Sequence, residues 1–530
     1  MGREEAQGGK SEEEDGRVKP PVYRIDPAAP HHATVVHALQ RNAAAIGAQD
    51  GIAVEARTLS YRAYAAAVAG LAHRLRALGA GGERVAVVMP NGLETAVALL
   101  GAMAAGAQVA PINPGFTDPE VLRALRDAEP RIILCRADWA DRARRLAPEA
   151  GAAHVVVLGE GGERIEPWAA GTSLALPEPL PQPGDLAAMF FTGGTTGVPK
   201  AAQHRHEGLM AHARAALGCW PLEQDRERVL NVAPAFHIWG FWFTALVPMH
   251  AGATTVIVPV YKPAAVLEAF ARQRITVFAG GPSAIYVGLR GNENYRATDF
   301  SHLKFCLSGG APCAEELLTA WERETGTAIF EGIGMSEAAP IAGNPVKGRR
   351  KIRSVGPPVA DTKIEIVDLD TGTRVLPQGE AGEIRLKGPQ VMVGYRNRPD
   401  ETAHALRGGW LYTGDIGYFD EEGYLFVVDR KKEMILVGGF NVYPREVDEL
   451  LMKHPAIHEA ATVGVPDSFS GEAVKAYVAL KPGAALTREA LEAYCEANLV
   501  KYKRPKHIEF LAALPKTSVG KLDKLALKRM

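Results

Sequence analysis

The sequence predicts an α/β protein with parallel sheets, a small antiparallel barrel or sheet, and a separate α+β domain towards its C-terminal end. Three observations carry that reading. Between residues 59 and 114 helical and strand-like stretches alternate, which is the rhythm of βαβ units. From residue 363 the pattern changes to short alternating strands divided by glycine-rich turns. At Asp429-Arg430-Lys431-Lys432 a charged knot divides a strand from a new apolar stretch, and a domain boundary is placed there. With 530 residues the chain is too long for one ordinary core, so two or more domains are expected.

In order along the chain, residues 1–22 are polar, carry the run Glu12-Glu13-Glu14-Asp15 and read as a disordered tail, neither a secretory signal nor a transmembrane helix. Helical spacing covers 61–78 and small residues build a second helix over 92–105, with buried strands at 84–89 and 108–112. Further strands are expected at 131–134, 153–158, 254–259, 275–278 and 303–307. The longest apolar run, 238–249, is too short to span a bilayer and reads as buried protein. Alternation at 363–367 and 383–386 gives the antiparallel unit. Beyond the boundary, Pro444 opens a helix carrying Val447, Leu450 and Leu451, followed by strands at 461–465 and 474–480, a helix from Thr487 and a strand at 507–514.

Composition excludes several classes. Hydrophobic residues are 47% and charged residues 23% of the chain, and the formal net charge is −1, so no nucleic-acid surface or polybasic membrane patch is expected. The five cysteines lack metal-ligand spacing and fit reduced thiols of a cytoplasmic protein.

The stretch 186–210 is the most informative. An apolar run breaks into Thr192-Gly193-Gly194-Thr195-Thr196-Gly197-Val198-Pro199-Lys200, and helical spacing resumes at Leu209, so the loop is expected to join a buried strand to a helix. Glycines admit close backbone approach, threonines offer hydroxyls and the lysine adds positive charge, which makes a phosphate cradle. It is not a Walker loop, because Lys200 follows Pro199 and precedes Ala201. A flexible surface turn is the plain alternative. Two more glycine-rich stretches, Gly309-Gly310-Ala311-Pro312 and Gly332-Ile333-Gly334-Met335-Ser336-Glu337, follow strands, where α/β sheets place ligands. Ordinary βα turns would read the same way, but Glu337 beside such a turn can hold Mg²⁺ against a polyphosphate. Asp415 is expected in a turn, suited to ribose hydroxyls, and Lys521 lies on a glycine-containing turn near the end of the chain.

Together these stretches resemble the adenylate-forming superfamily of acyl-CoA synthetases, aryl CoA ligases, luciferases and peptide-synthetase adenylation domains. The resemblance runs from about Thr34 onward, through eight signatures in order at 192–200, 234–237, 309–312, 332–337, 412–415, 429–432, 438–444 and 516–521. It implies a large domain over 23–430, made of two parallel-sheet α/β subdomains and a small β-barrel, and a mobile α+β domain over 431–530. It also implies two half-reactions. A carboxylate attacks the α-phosphate of MgATP to give an acyl adenylate, and the thiol of coenzyme A then displaces AMP.

By position in the family, the loop with Thr192 and Lys200 would hold pyrophosphate, and Thr192 and Glu337 would bind Mg²⁺. Gly309 to Pro312 and Gly332 to Gly334, flanked by Met335 and Ser336, would form the adenine slot. Asp415 and Arg430 would hold ribose, and Lys521 would bridge the carboxylate and α-phosphate. Lys432 would be the hinge, and Gly438, Gly439 and Phe440 the pantetheine path. His237 would gate the acid pocket or orient the acid, a packed neutral histidine being the alternative. Ile333 departs from the tyrosine common in relatives, which leaves only apolar contact with adenine. The apolar, aromatic surroundings of Ile238, Trp239, Phe241, Trp242 and Phe243 fit a fatty, alicyclic or aromatic acid, and the resemblance of the Gly193-Gly194 loop and of 437–444 to fatty-acyl-CoA synthetases implies a medium- or long-chain fatty acid. An aryl or alicyclic acid, or transfer to a carrier protein, is the alternative. His237 stands where amino-acid-activating relatives carry aspartate, which disfavours an α-amino acid. A monomer or homodimer is expected. His204, His206 and His212 read as structural.

Overall fold

In the computed structural model of the chain the described residues are 23, 31–171, 173–192, 199–311, 313–516 and 522–530. The expected tail over 1–22 lies outside them, as do Gly193, Gly194, Thr195, Thr196, Gly197, Pro312 and Lys521.

Among the described residues, two large sheets form the N-terminal part. In the first, Leu186–Phe191, Gln108–Pro111, Arg84–Val88, Ile132–Cys135 and His154–Val157 run parallel in that spatial order. Ala201–Arg205 and Gly394–Tyr395 extend one edge antiparallel. In the second, Ile329–Met335, Phe305–Gly309, Val277–Gly281, Arg228–Asn231, Thr254–Ile257 and Asp50–Val54 are parallel. The hairpin strands Ala338–Gly343 and Arg57–Ser60 close its two edges. The small-residue helix Leu93–Ala104 buries every residue in the core, as an all-round apolar helix must. A Cβ at its Gly101 would lie 2.8 Å from Leu71 Cδ2 on the helix Tyr61–Ala77, so glycine there sets how closely the two helices approach.

Three local expectations are corrected. The loop after Leu186–Phe191 does not lead to a helix. It returns through Ala201–Arg205, with Phe191 opposite Ala201, and only then does His206–Cys219 begin. Gly332 to Met335 is not a βα turn but the end of the strand Ile329–Met335, which pairs back onto Ala338–Gly343. Asp415 is not in a turn. It lies inside the strand Trp410–Phe419, in register with Arg430 on Leu425–Arg430, directly after Gly414 at φ +72°. These last two strands join Lys363–Val367, Gly382–Lys387 and Leu406–Arg407 in the antiparallel third unit.

The C-terminal sheet pairs Ile457–Asp467 with Gly471–Leu480, adds the hairpin Ile435–Val437 and Phe440–Val442, and takes His507–Phe510 in parallel. Helices Pro444–Met452 and Arg488–Asn498 cover it through Val447, Leu451 and Leu491. The run 238–249 folds as Ile238–Phe241, a π-helical turn Trp242–Leu246 and the start of Val247–Ala251, all but Trp239 buried. Among the described residues no helix is long and apolar enough to cross a membrane. The five cysteines are free and buried.

Candidate active site

Gly281, Gly309 and Gly332 stand at the C-terminal ends of adjacent parallel strands, and Gly309 faces Gly332 in register. This is where open α/β sheets bind ligands. A Cβ on Gly309 would lie 2.7 Å from Trp239 Cζ3, and one on Gly332 would lie 2.6 Å from Trp220 Cζ2. The two backbones are therefore bare so that two indoles can lie against them. Trp220 donates its N–H to the Asn344 carbonyl at 2.9 Å, whereas half-buried Trp239 reaches the Ala279 carbonyl at 3.4 Å. Trp239 lies 5.1 Å from Phe243 and 6.2 Å from Trp242, between centroids. Trp242 and Phe243 belong to the hydrophobic core, and Trp239 is partly buried against it.

Gly310 is exposed at φ +79° and Ala311 is half-buried beside it. Ile333 and Met335 are half-buried and pack on the cluster around Ile341 and Leu386. Gly334 is exposed. The Ser336 carbonyl accepts 2.8 Å from His204 Nε2. His212 donates to the Gln390 carbonyl at 2.9 Å and accepts from Trp242 Nε1 at 3.0 Å, which fixes a neutral tautomer. Burial holds both imidazoles below their ordinary pKa, His204 at about 4. These histidines are internal struts. His237 Nδ1 accepts from Trp239 N at 3.4 Å as the cap of Ile238–Phe241.

The charged groups gather around Glu337, which follows the same strand Ile329–Met335. Glu337, at the tip of the hairpin from Ile329–Met335 to Ala338–Gly343, is buried, and its Oε1 accepts 2.5 Å from Tyr395 Oη. Burial pushes its carboxyl above the usual range, opposed by that bond, by Lys200 and by Arg430. Asp415 Oδ1 stands 3.4 Å from Arg430 Nε. Burial lifts the Asp415 carboxyl to about 6, with Arg430 and Lys432 pulling the other way. Lys432 is pushed down by burial and by Arg430, while Glu433, Asp415 and Glu337 hold it up. Lys200 lies over the Tyr395 ring at 5.1 Å, and its backbone closes the loop against Thr192, whose N–H donates to the Lys200 carbonyl at 2.8 Å. Thr192, Lys200, Glu337, Asp415, Arg430 and Lys432 are thus brought to one place, with Glu433 beside them, so that three cations stand among three carboxylates.

Gly438 and Gly439, at φ +57° and +86°, form the two-residue turn between Ile435–Val437 and Phe440–Val442. Two successive positive φ values are what a type I′ hairpin demands, so the turn itself accounts for both glycines. Phe440 is exposed and stacks on Tyr502 at 4.7 Å.

The family described as AMP-binding enzyme matches residues 37–396, and its C-terminal domain matches residues 446–521. The chain belongs to the AMP-binding enzyme family. Over 474 residues it is 36% identical to a long-chain-fatty-acid–CoA ligase of Bacillus subtilis (strain 168), covering 83% of this chain and 84% of that one. It is 35% identical to a sulfoacetate–CoA ligase of Cupriavidus necator, over 90% of this chain and 91% of the relative. The ATP-bound crystal structure of MatB from Rhodopseudomonas palustris superposes with a TM-score of 0.87 at 30% identity, over 93% and 98% of the two chains. This AMP-binding enzyme is an AMP-forming acid–thiol ligase, an acyl-CoA ligase.

In the enzyme, one group at the site was not legible from motif spacing, and another lay in a motif with no role assigned to it. Tyr395 comes from a strand some sixty residues beyond Glu337, and no glycine-rich signature adjoins it; only its place after Gly394 in an apolar run marked it. Glu331, buried directly before Gly332, accepts from Cys313 N at 2.9 Å and so ties the two glycine stretches together.

Proposed function

We propose that this ligase activates an apolar carboxylic acid, a medium- or long-chain fatty acid, as its adenylate and passes the acyl group to coenzyme A. The observation that carries the reading is the meeting of Lys200, Glu337, Asp415, Arg430 and Lys432, with the half-buried indole of Trp239 lying against Gly309 at a strand end. Polyphosphate and ribose face the charges, and the acyl chain faces that indole. In this reading the loop from Thr192 to Lys200 holds pyrophosphate, Gly309 to Pro312 and Gly332 to Gly334 flank adenine, and Asp415 with Arg430 takes ribose. Glu337 and the Thr192 hydroxyl are hard oxygen donors of the kind Mg²⁺ takes. Bound there, the ion supplies charge neutralisation to the phosphates.

Lys521 bridges the attacking carboxylate and the α-phosphate, stabilising charge where two anions meet. The C-terminal domain then turns about Lys432, and Gly438, Gly439 and Phe440 line the path of the pantetheine arm. A shorter, ring-shaped acid is the second reading, favoured by the indole of Trp239 lying against Gly309 and near Gly281.

Acid-dependent pyrophosphate release with MgATP, across straight-chain, cyclohexane and benzoate acids, with and without coenzyme A, tests both. A chain-length optimum with coenzyme A-dependent AMP formation supports the fatty acid. Preference for ring acids moves the assignment to the second reading, and transfer to a carrier domain with none to coenzyme A overturns the acceptor.

A further inference from the structure

Tyr395 holds two of the groups just assigned. Its hydroxyl donates to Glu337 Oε1 at 2.5 Å, and its ring carries the Lys200 ammonium at 5.1 Å from the centroid. A lysine and a carboxylate so near each other tend to pair directly, which would spend the phosphate-binding cation on the metal-binding anion. One side chain here engages both by different means, the quadrupole of the ring for the ammonium and an O–H donor for the carboxylate.

The platform is itself fixed. The strand Gly394–Tyr395 pairs antiparallel with Ala201–Arg205, so Tyr395 is in register with Ala202, two residues after Lys200. Tyr395 N donates to Thr402 Oγ1 at 2.9 Å, and the next residue, Arg396, donates from its backbone N to the Ala201 carbonyl at 2.9 Å. Arg396 and Arg398 then anchor the segment to the end of helix Asp118–Ala128, through the Asp127 carbonyl at 3.1 Å and the Asp127 carboxylate at 3.2 Å. Gly394, at φ +155°, brings the backbone against Thr402, where a Cβ would lie 2.7 Å from Cγ2.

We propose that Tyr395 is a positioning residue that keeps Lys200 and Glu337 aligned but unpaired, so that the polyphosphate meets the ammonium and its divalent cation meets the carboxylate. The proposal rests on the roles given above to Lys200 and Glu337.

The test separates hydroxyl from ring. Tyr395→Phe keeps the ring and frees Glu337, whereas Tyr395→Leu removes both supports. Binding of Mn²⁺ in the presence of ATP is read by electron paramagnetic resonance, and ATP binding by calorimetry, on the full-length chain. Tyr395→Phe is expected to weaken Mn²⁺ binding about tenfold, the loss of one hydrogen bond to a charged group, with the KM for the acid unchanged. Tyr395→Leu is expected to weaken ATP binding further. In a Lys200→Met background that additional loss should vanish, since no ammonium is left to seat. Glu337→Gln is the control for the underlying reading. If Glu337→Gln weakens Mn²⁺ binding and Tyr395→Phe does not, the positioning role falls and the site stands. If neither does, the metal assignment falls with it. Equal rises in the KM for acid and for ATP in Tyr395→Phe would show general disorder of the site and also overturn the role.

Discussion

Gly309 and Gly332 face one another across neighbouring strands, yet the same substitution should affect them differently. A methyl added at Gly332 meets Trp220 at 2.6 and 2.7 Å and the Ala342 carbonyl at 3.1 Å. Trp220 is 2% exposed and tied to the Asn344 carbonyl, so neither neighbour can yield. A methyl added at Gly309 meets Trp239 at 2.7 Å and the Gly332 carbonyl at 3.2 Å, but Trp239 is only half-buried and its hydrogen bond is 3.4 Å long. Overpacking a rigid core costs about 1–3 kcal/mol. Gly332→Ala is placed at the top of that range and Gly309→Ala at the bottom, because the indole of Trp239 can swing away. Denaturant unfolding of the large domain reads the stability, and pyrophosphate release reads the KM for each acid. Gly309→Ala should alter the acid preference, since Trp239 is the group displaced. Adding Trp239→Leu should cancel the Gly309→Ala strain, giving a coupling of at least about 0.5 kcal/mol in a double-mutant cycle. Equal destabilisation at both glycines, or additive behaviour of Gly309→Ala with Trp239→Leu, would refute the packing argument.

Asp415, with its carboxyl raised to about 6, should carry its charge for ribose only above that pH. The KM for MgATP is expected to fall as pH rises from about 5 to about 7, and Asp415→Asn should lack that step. The sign for folding is opposite: the stability that the raised carboxyl contributes is complete below its ordinary value of 3.8 and is lost as pH rises through about 6. Lys521→Ala should abolish acid-dependent pyrophosphate release while thioesterification of a supplied acyl adenylate continues, and equal loss of both steps would contradict alternation of the domains. Arg445 of helix Pro444–Met452 donates to the Val427 carbonyl at 2.7 Å and to Glu449 at 2.8 Å, and Arg353 reaches the same Glu449 at 2.8 Å. Arg445→Met removes a charged bond worth about 1.5–3 kcal/mol across this junction. Limited proteolysis near residue 432 should accelerate, and unchanged cleavage would show that the contact does not hold the C-terminal domain.

The family of the chain and its alternation of helix and strand are legible in its residues. Helix–strand alternation, the small-residue run now seen as the wholly buried helix Leu93–Ala104, and the proline that opens Pro444–Met452 are local signals, set by side-chain size and backbone freedom. The ordered glycine, threonine and carboxylate motifs were legible for the same reason. The tertiary structure decided what depends on pairing between distant segments. The strand Ala201–Arg205, between the loop and the helix, gains its ladder from Leu186–Phe191 and Gly394–Tyr395, both distant or across the loop in sequence. Asp415 reads as a turn residue beside Gly414, and only the register with Arg430 makes it part of a strand. Tyr395 had no motif at all, because its partners Lys200 and Glu337 belong to other stretches of sequence and meet it only through the sheet. Short-range chemistry is written along the chain, whereas the distance between groups on separate strands is fixed by register and packing, which sequence spacing does not encode.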